Sequence, residues 1–135
     1  MIYGLEYDPE QINQCLARNI NVIEKELVRD LDEYATNSFD VVIMTQALQV
    51  MRYPDIILQE MLRVGRECIV TFPNFGYWRH RLDVLQGYMP VSKTLPHSWY
   101  DTPNIHLCTV DDFEALCAAR HWTCVRRSLL DRALR

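Results

Sequence analysis

The sequence predicts an α/β domain built on a mostly parallel, doubly wound sheet. Three observations carry that expectation. The run Phe39–Thr45 (FDVVIMT) is apolar and β-branched almost throughout, as in a strand buried on both faces of a parallel sheet. A second such run, CIVTF at 68–72, ends at Pro73. Between them, Pro54–Val64 repeats apolar residues at helical spacing, with Ile57, Leu58, Met61 and Leu62 on one side. Strands alternating with helices over short links indicate right-handed crossovers and a parallel sheet.

The remaining elements follow in order. Residues 2–6 read as a short strand running into Asp8-Pro9-Glu10. Asp8 suits the N-cap, Pro9 the first helical position, and Glu10 the positive helix end. Ile12, Cys15 and Leu16 continue that helix to about residue 18, where Asn19-Ile20-Asn21 breaks it. Residues 22–27 (VIEKEL) read as the next strand, and Asn37-Ser38 supplies the turn before Phe39. Gly65 is expected to close the Pro54 helix as a left-handed C-cap. Residues 73–109 break the rhythm with an excursion rich in aromatic, basic and proline residues. Within it, Trp78, Leu82 and Leu85 would form one apolar face of a short helix closed by Gly87. A last helix from Asp111 carries Phe113, Leu116 and Cys117, and residues 123–130 are expected to form a final strand. The 135 residues fit a single domain, since domains commonly span about 100–150 residues.

Bulk properties exclude several function classes. The chain is 49% hydrophobic and 24% charged with a net charge of −4, too apolar for disorder. A pI near 5.5 argues against a general nucleic-acid or anionic-membrane binder, which needs a basic face. No apolar run approaches the ~20 residues that cross a bilayer, and the start lacks signal-peptide character, so the cytoplasm is the expected location. The five cysteines, Cys15, Cys68, Cys108, Cys117 and Cys124, form no C-x-x-C pair and read as buried reduced thiols. His106 and Cys108 are close in sequence, but no second pair matches them, and no metal is expected.

Ligands of doubly wound sheets sit beyond the carboxyl ends of the strands. That rule selects Glu6 and Tyr7, Glu26 and Leu27, Thr45 and Gln46, and the corner at 73–75. A strand-end carboxylate such as Glu6 can accept hydrogen bonds from both hydroxyls of a ribose. It can equally be a solvated residue at a strand end, and spacing does not decide between the two. Glu26, beside Lys25, is the weaker candidate. His80, His97, Tyr77 and Asp101 are the acid–base or positioning groups available in the excursion. A loop histidine is more often a structural hydrogen-bonder, and the catalytic residue is unknown from sequence. The acidic total charge turns the aromatic-basic mixture at 77–100 away from base stacking. A cap over the cleft or a partner-docking surface remains.

The strings LEYDPEQI, NSFDVVIMTQALQ, RYPD, EMLRVGRECIVTFPNFGYWR, MPVS and WYDTPNIHLCT resemble the MetW family of methionine-biosynthesis proteins. The likeness runs through nearly the whole chain, and the pairing of FPNFGYWR with TPNIH is distinctive. It implies a Rossmann-like, class I methyltransferase-type fold, S-adenosylmethionine as cofactor, and a role beside homoserine O-acyltransferase. Carried over by that resemblance, Glu6 would hold the ribose, Glu26 and Leu27 would flank the adenine, and Thr45 with Gln46 would line the pocket. Tyr7 adjoins them.

One departure stands out. Family members place a strand and a glycine-rich loop before the Glu6 strand, and the four glycines here (4, 65, 76 and 87) do not cluster. The sheet is therefore expected to be incomplete at the N-terminus and at the C-terminus, and cofactor binding by this chain weak or absent. Two functions result: an accessory subunit of homoserine O-acyltransferase, or an S-adenosylmethionine-dependent small-molecule methyltransferase. A dinucleotide oxidoreductase is disfavoured by the lack of any G-x-G-x-x-G.

Overall fold

The computed structural model describes residues 4–6, 8–24 and 31–129. The chain divides into two compact units, Met1–Thr71 and Phe72–Arg135.

The first unit opens with strand β1 (Gly4–Glu6), helix α1 (Pro9–Ala17) and strand β2 (Val22–Glu24). Asp8 caps α1 as expected, its Oδ1 accepting the Glu10 N–H at 2.9 Å. Asn19 takes a positive φ of 55° at the helix end, and the Ile20 N–H reaches back to the Cys15 carbonyl. β1 and β2 run parallel, Gly4 opposite Val22 and Glu6 opposite Glu24.

The larger part of this unit is strand β3 (Phe39–Thr45), helix α2 (Pro54–Val64) and strand β4 (Gly65–Thr71). β3 and β4 are adjacent and parallel, with Phe39 opposite Gly65 and Thr45 opposite Thr71, so the expected strand–helix–strand crossover is present. Among the described residues no ladder joins β1–β2 to β3–β4. Ile57, Leu58, Met61 and Val64 of α2 are buried and make the apolar centre, with Met44 of β3 also buried. Arg63 clamps the preceding segment to α2. Its Nη1 and Nη2 donate to the carbonyls of Tyr34 (2.7 Å) and Leu31 (2.8 Å), and its Nε pairs with Glu60.

Three expectations fail in instructive ways. Gly65 is not a left-handed cap: its φ and ψ are −105° and 146°, and β4 begins there rather than at residue 68. The glycine is needed for space. A Cβ at Gly65 would lie 2.6 Å from Val42 Cγ2 and 3.1 Å from the Met61 carbonyl oxygen. Double-sided burial of β3 and β4 is also not found. Met44 is buried and Val42, Cys68 and Val70 are half-buried, whereas Val41, Ile43 and Ile69 face outward, the last two 61% and 50% exposed. One helix covers only one face, and an apolar run cannot reveal whether a second layer is present. Finally, residues 123–129 form no strand, because no ladder partner meets them among the described residues; Leu130 lies outside those residues. Val125 and Leu129 are exposed.

The second unit contains helices α3 (Trp78–Leu85) and α4 (Val110–Ala119). Gly87, with φ of +89°, closes α3 as expected. Thr109 caps α4, its Oγ1 accepting the Asp112 N–H at 3.1 Å. Phe72 packs on Phe113 at 5.0 Å between ring centroids.

The Gly65 contact generates a contrast. Gly65→Ala should destabilise the chain by about 1–3 kcal/mol, as expected for forced overpacking. Gly4→Ala, whose Cβ would meet nothing closer than 3.7 Å, should leave stability nearly unchanged. Urea midpoints of the two variants measure the difference, and equal midpoints would refute the close-approach account.

Candidate functional site

Of the predicted residues, Glu6 and Thr45 end parallel strands and Gln46 follows Thr45 directly. Tyr7, Glu26 and Leu27 lie outside the described residues. Glu6 ends β1 and is half-buried, and its Oε1 accepts the Asp8 N–H at 3.0 Å. This carboxylate therefore helps lead the chain into α1, a local task that the sequence reading did not assign to it. Thr45 ends β3 with its side chain exposed, opposite Thr71.

Gln46 is the unusual residue here. It follows β3 directly with φ of 54°, a left-handed conformation that costs a non-glycine residue roughly 1 kcal/mol or more. Its N–H is shared between the Thr71 carbonyl oxygen (3.0 Å) and the Thr71 hydroxyl (3.2 Å). Its own carbonyl accepts from Gln49 Nε2 at 2.8 Å. Three bonds thus hold a strained peptide at the end of the sheet. Gln49 is buried, and its Oε1 has no donor among the described residues. The Gln46 bond fixes the orientation of the amide, so the orphan atom is an acceptor. Sequence reasoning missed Gln49, and its place three residues after Gln46 in a 3-10 turn (Leu48–Val50) was the only available sign.

The acid–base candidates of the excursion all lie in the second unit. His97 and Asp101 are exposed and Tyr77 is half-buried. His80 is buried inside α3, with rings of Phe75 and Tyr77 against it. Its Nε2 lies 3.2 Å from Ser92 Oγ, which also accepts the Leu95 N–H (3.2 Å) and meets Thr94 Oγ1 (3.1 Å). One hydrogen is shared between His80 Nε2 and Ser92 Oγ whichever tautomer is present, and the buried Nδ1 has no partner among the described residues. A histidine so enclosed is a structural hydrogen-bonder that ties α3 to the segment at 92–95.

The corner at 73–75 is equally well bonded. Asn74 Oδ1 accepts the Gly76 N–H (2.9 Å), and the Phe75 N–H donates to the Cys108 carbonyl (3.0 Å). Asn74, Arg81, Thr109, Asp111 and Arg127 line a cavity of about 230 Å³ that the sequence did not foretell. Its two arginines are already engaged locally: Arg127 pairs with Glu114 at 2.8 Å, and Arg81 Nε donates to the Gly76 carbonyl at 2.7 Å.

The five cysteines are free, as read from sequence, but only Cys117 is fully buried and Cys124 is exposed. Burial raises the thiols of Cys68, Cys108 and Cys117, and Cys108 is pushed up to about 11 by burial and then by the Asp112 charge. The folded chain thus holds the Cys108 proton more tightly than the unfolded chain. That stabilisation is complete below about pH 9 and is lost as pH rises toward 11. Cys108→Ser should flatten the alkaline fall in urea midpoint across that window; an unchanged slope would refute the assignment. Alkylation mapped by mass spectrometry should find Cys124 first and Cys117 last.

Comparison with known proteins places the chain. The family model described as "Methionine biosynthesis protein MetW" matches residues 1–135. The chain is also 34% identical over 117 residues to the "Bifunctional methionine biosynthesis protein MetXA/MetW" of Rhodopirellula baltica. That match covers 85% of this chain and spans only 19% of the relative's length. No described helix is long and apolar enough to cross a membrane. A family match over the entire length, on an α/β chain with parallel strand pairs, is decisive: the chain belongs to the MetW family of methionine biosynthesis proteins.

Proposed function

We propose that the chain is a methyltransferase-fold accessory subunit that acts in the cytoplasm with homoserine O-acyltransferase during methionine biosynthesis. One observation carries this reading: the relative from Rhodopirellula baltica bears both MetXA and MetW in the name of a single polypeptide. Joining two components in one chain fixes their ratio and raises the local concentration of each around the other. On this reading the exposed Val41, Ile43 and Ile69 face lies under the second helical layer of a doubly wound, Rossmann-like sheet, since parallel sheets are covered on both faces.

The carboxyl ends of β1 and β3, which belong to separate described strand pairs, carry groups whose chemistry suits S-adenosylmethionine. The Glu6 carboxylate can accept from ribose hydroxyls, the Thr45 and Gln46 side chains are polar and exposed, and the buried Gln49 Oε1 has no donor among the described residues. When bound, that cofactor supplies an electrophilic methyl group. In the alternative reading, a small-molecule methyltransferase, the same residues would orient the cofactor for attack by an acceptor.

Two measurements separate the readings. Co-expressed with homoserine O-acyltransferase from the same organism, the full-length protein should co-elute on size exclusion. Failure to co-elute under native salt would sink the accessory role. Calorimetric titration with S-adenosylmethionine tests the corner. Gln46→Gly removes the left-handed strain and should raise stability by about 1 kcal/mol. It should also weaken cofactor binding if the side chain reads the ligand, and unchanged affinity would remove Gln46 from the site.

A further inference from the structure

Helix α3 is folded with its polarity reversed. Its most buried side chain is His80, while Trp78, Leu82 and Leu85 are 56%, 45% and 82% exposed. Residues at i, i+4 and i+7 form one stripe along a helix, so these three side chains make a continuous apolar strip facing outward. At 100° per residue, Arg79 falls to one side of the strip and Arg81 to the other. No carboxylate pairs with either guanidinium among the described residues. Arg79 stacks over the Trp78 ring at 5.2 Å, and Arg81 donates to the Gly76 carbonyl. Behind this display His80 bonds to Ser92, and Gly87 turns the chain at the helix end.

We propose that the Trp78–Leu82–Leu85 strip, bracketed by Arg79 and Arg81, is the surface on which homoserine O-acyltransferase docks. The inference rests on the proposed accessory role and adds the place of contact. Exposed apolar patches with a polar rim mark interaction sites, and Trp and Arg are enriched among the residues that dominate binding. Two features favour this occupant over a second copy of the chain. A two-fold pairing of the strip with itself would gather four uncompensated arginines in one interface, and like charges so placed oppose association. The Rhodopirellula baltica relative carries the MetXA component in its own polypeptide, so the surface of the MetW portion has that partner always at hand. The bracket of arginines requires an apolar groove rimmed by Asp or Glu on the acyltransferase.

The test compares three full-length proteins, each titrated by calorimetry with purified homoserine O-acyltransferase. These are the wild type, the double variant Leu82→Glu/Leu85→Glu, and the control Val125→Glu, whose site is 90% exposed in the same unit. The double variant should lose at least about tenfold in affinity with an unchanged melting temperature, because the mutated side chains are outside the core. The control should bind as the wild type does. Arg79→Glu should weaken binding and flatten its salt dependence. If wild type and double variant bind equally, the docking surface is wrong and the accessory role stands. If the wild type does not bind at all, both fall. If instead the double substitution abolishes self-association or binding to anionic vesicles, the strip serves a second copy or a lipid surface, and the proposal is overturned.

Discussion

The close approach of Gly65 to Val42 sets the geometry on which the first unit depends. Parallel strands cannot be joined by a tight hairpin, so the chain must cross over through α2 before β4 can pair with β3. Here the crossover has no return loop: α2 ends at Val64 and β4 begins at Gly65. Only a residue without a side chain fits where the helix end, the Val42 methyl group and the new strand converge. Phe39 therefore pairs with Gly65, and that register carries Thr45 to Thr71 at the far end. The strand-end corner inherits its position from this contact 20 Å or so away, at about 3.3 Å per strand residue.

The corner itself stores strain. A left-handed Gln46 persists because Thr71 receives its N–H and Gln49 donates to its carbonyl, so the surrounding bonds over-determine an unfavourable backbone. The effect is to turn the chain sharply away from β3 and leave the Thr45 and Gln46 side chains exposed at the sheet's carboxyl end. Arg63 does comparable work at the opposite end of the unit. It anchors the carbonyls of Leu31 and Tyr34 to α2, and bonds from a charged donor are the stronger kind.

The second unit distributes polarity in a way that composition would not suggest. His80 is enclosed among Phe75, Tyr77 and the Ser92 hydroxyl, while the tryptophan and leucines of the same helix remain in water. A buried histidine bonded to one hydroxyl is directional in a way that a leucine is not. With His80 turned inward, the apolar strip lies on the outward side.

The sequence by itself determined the order of strands and α-helices as far as α4, the bounds of β3 and α2, the Asp8 cap, the Gly87 turn and the family. Each of these is a local signal: an apolar run, a helical spacing, a capping side chain, or a string of residues read directly. Tertiary structure decided what local patterns cannot encode. Apolar character in Ile43 and Ile69 was legible, but their burial depends on whether another layer lies over that face. The strand expected at 123–130 had suitable residues, and a strand exists only where a neighbouring edge accepts its hydrogen bonds. Gly65 looked like a left-handed cap because glycine serves both conformational freedom and close approach, and only the position of Val42 distinguishes them. The apolar stripe of α3 was visible from its spacing. Whether it faced inward or outward depends on what packs against the helix, and there it is His80, bonded to Ser92 twelve residues away, that is enclosed, which no periodicity records.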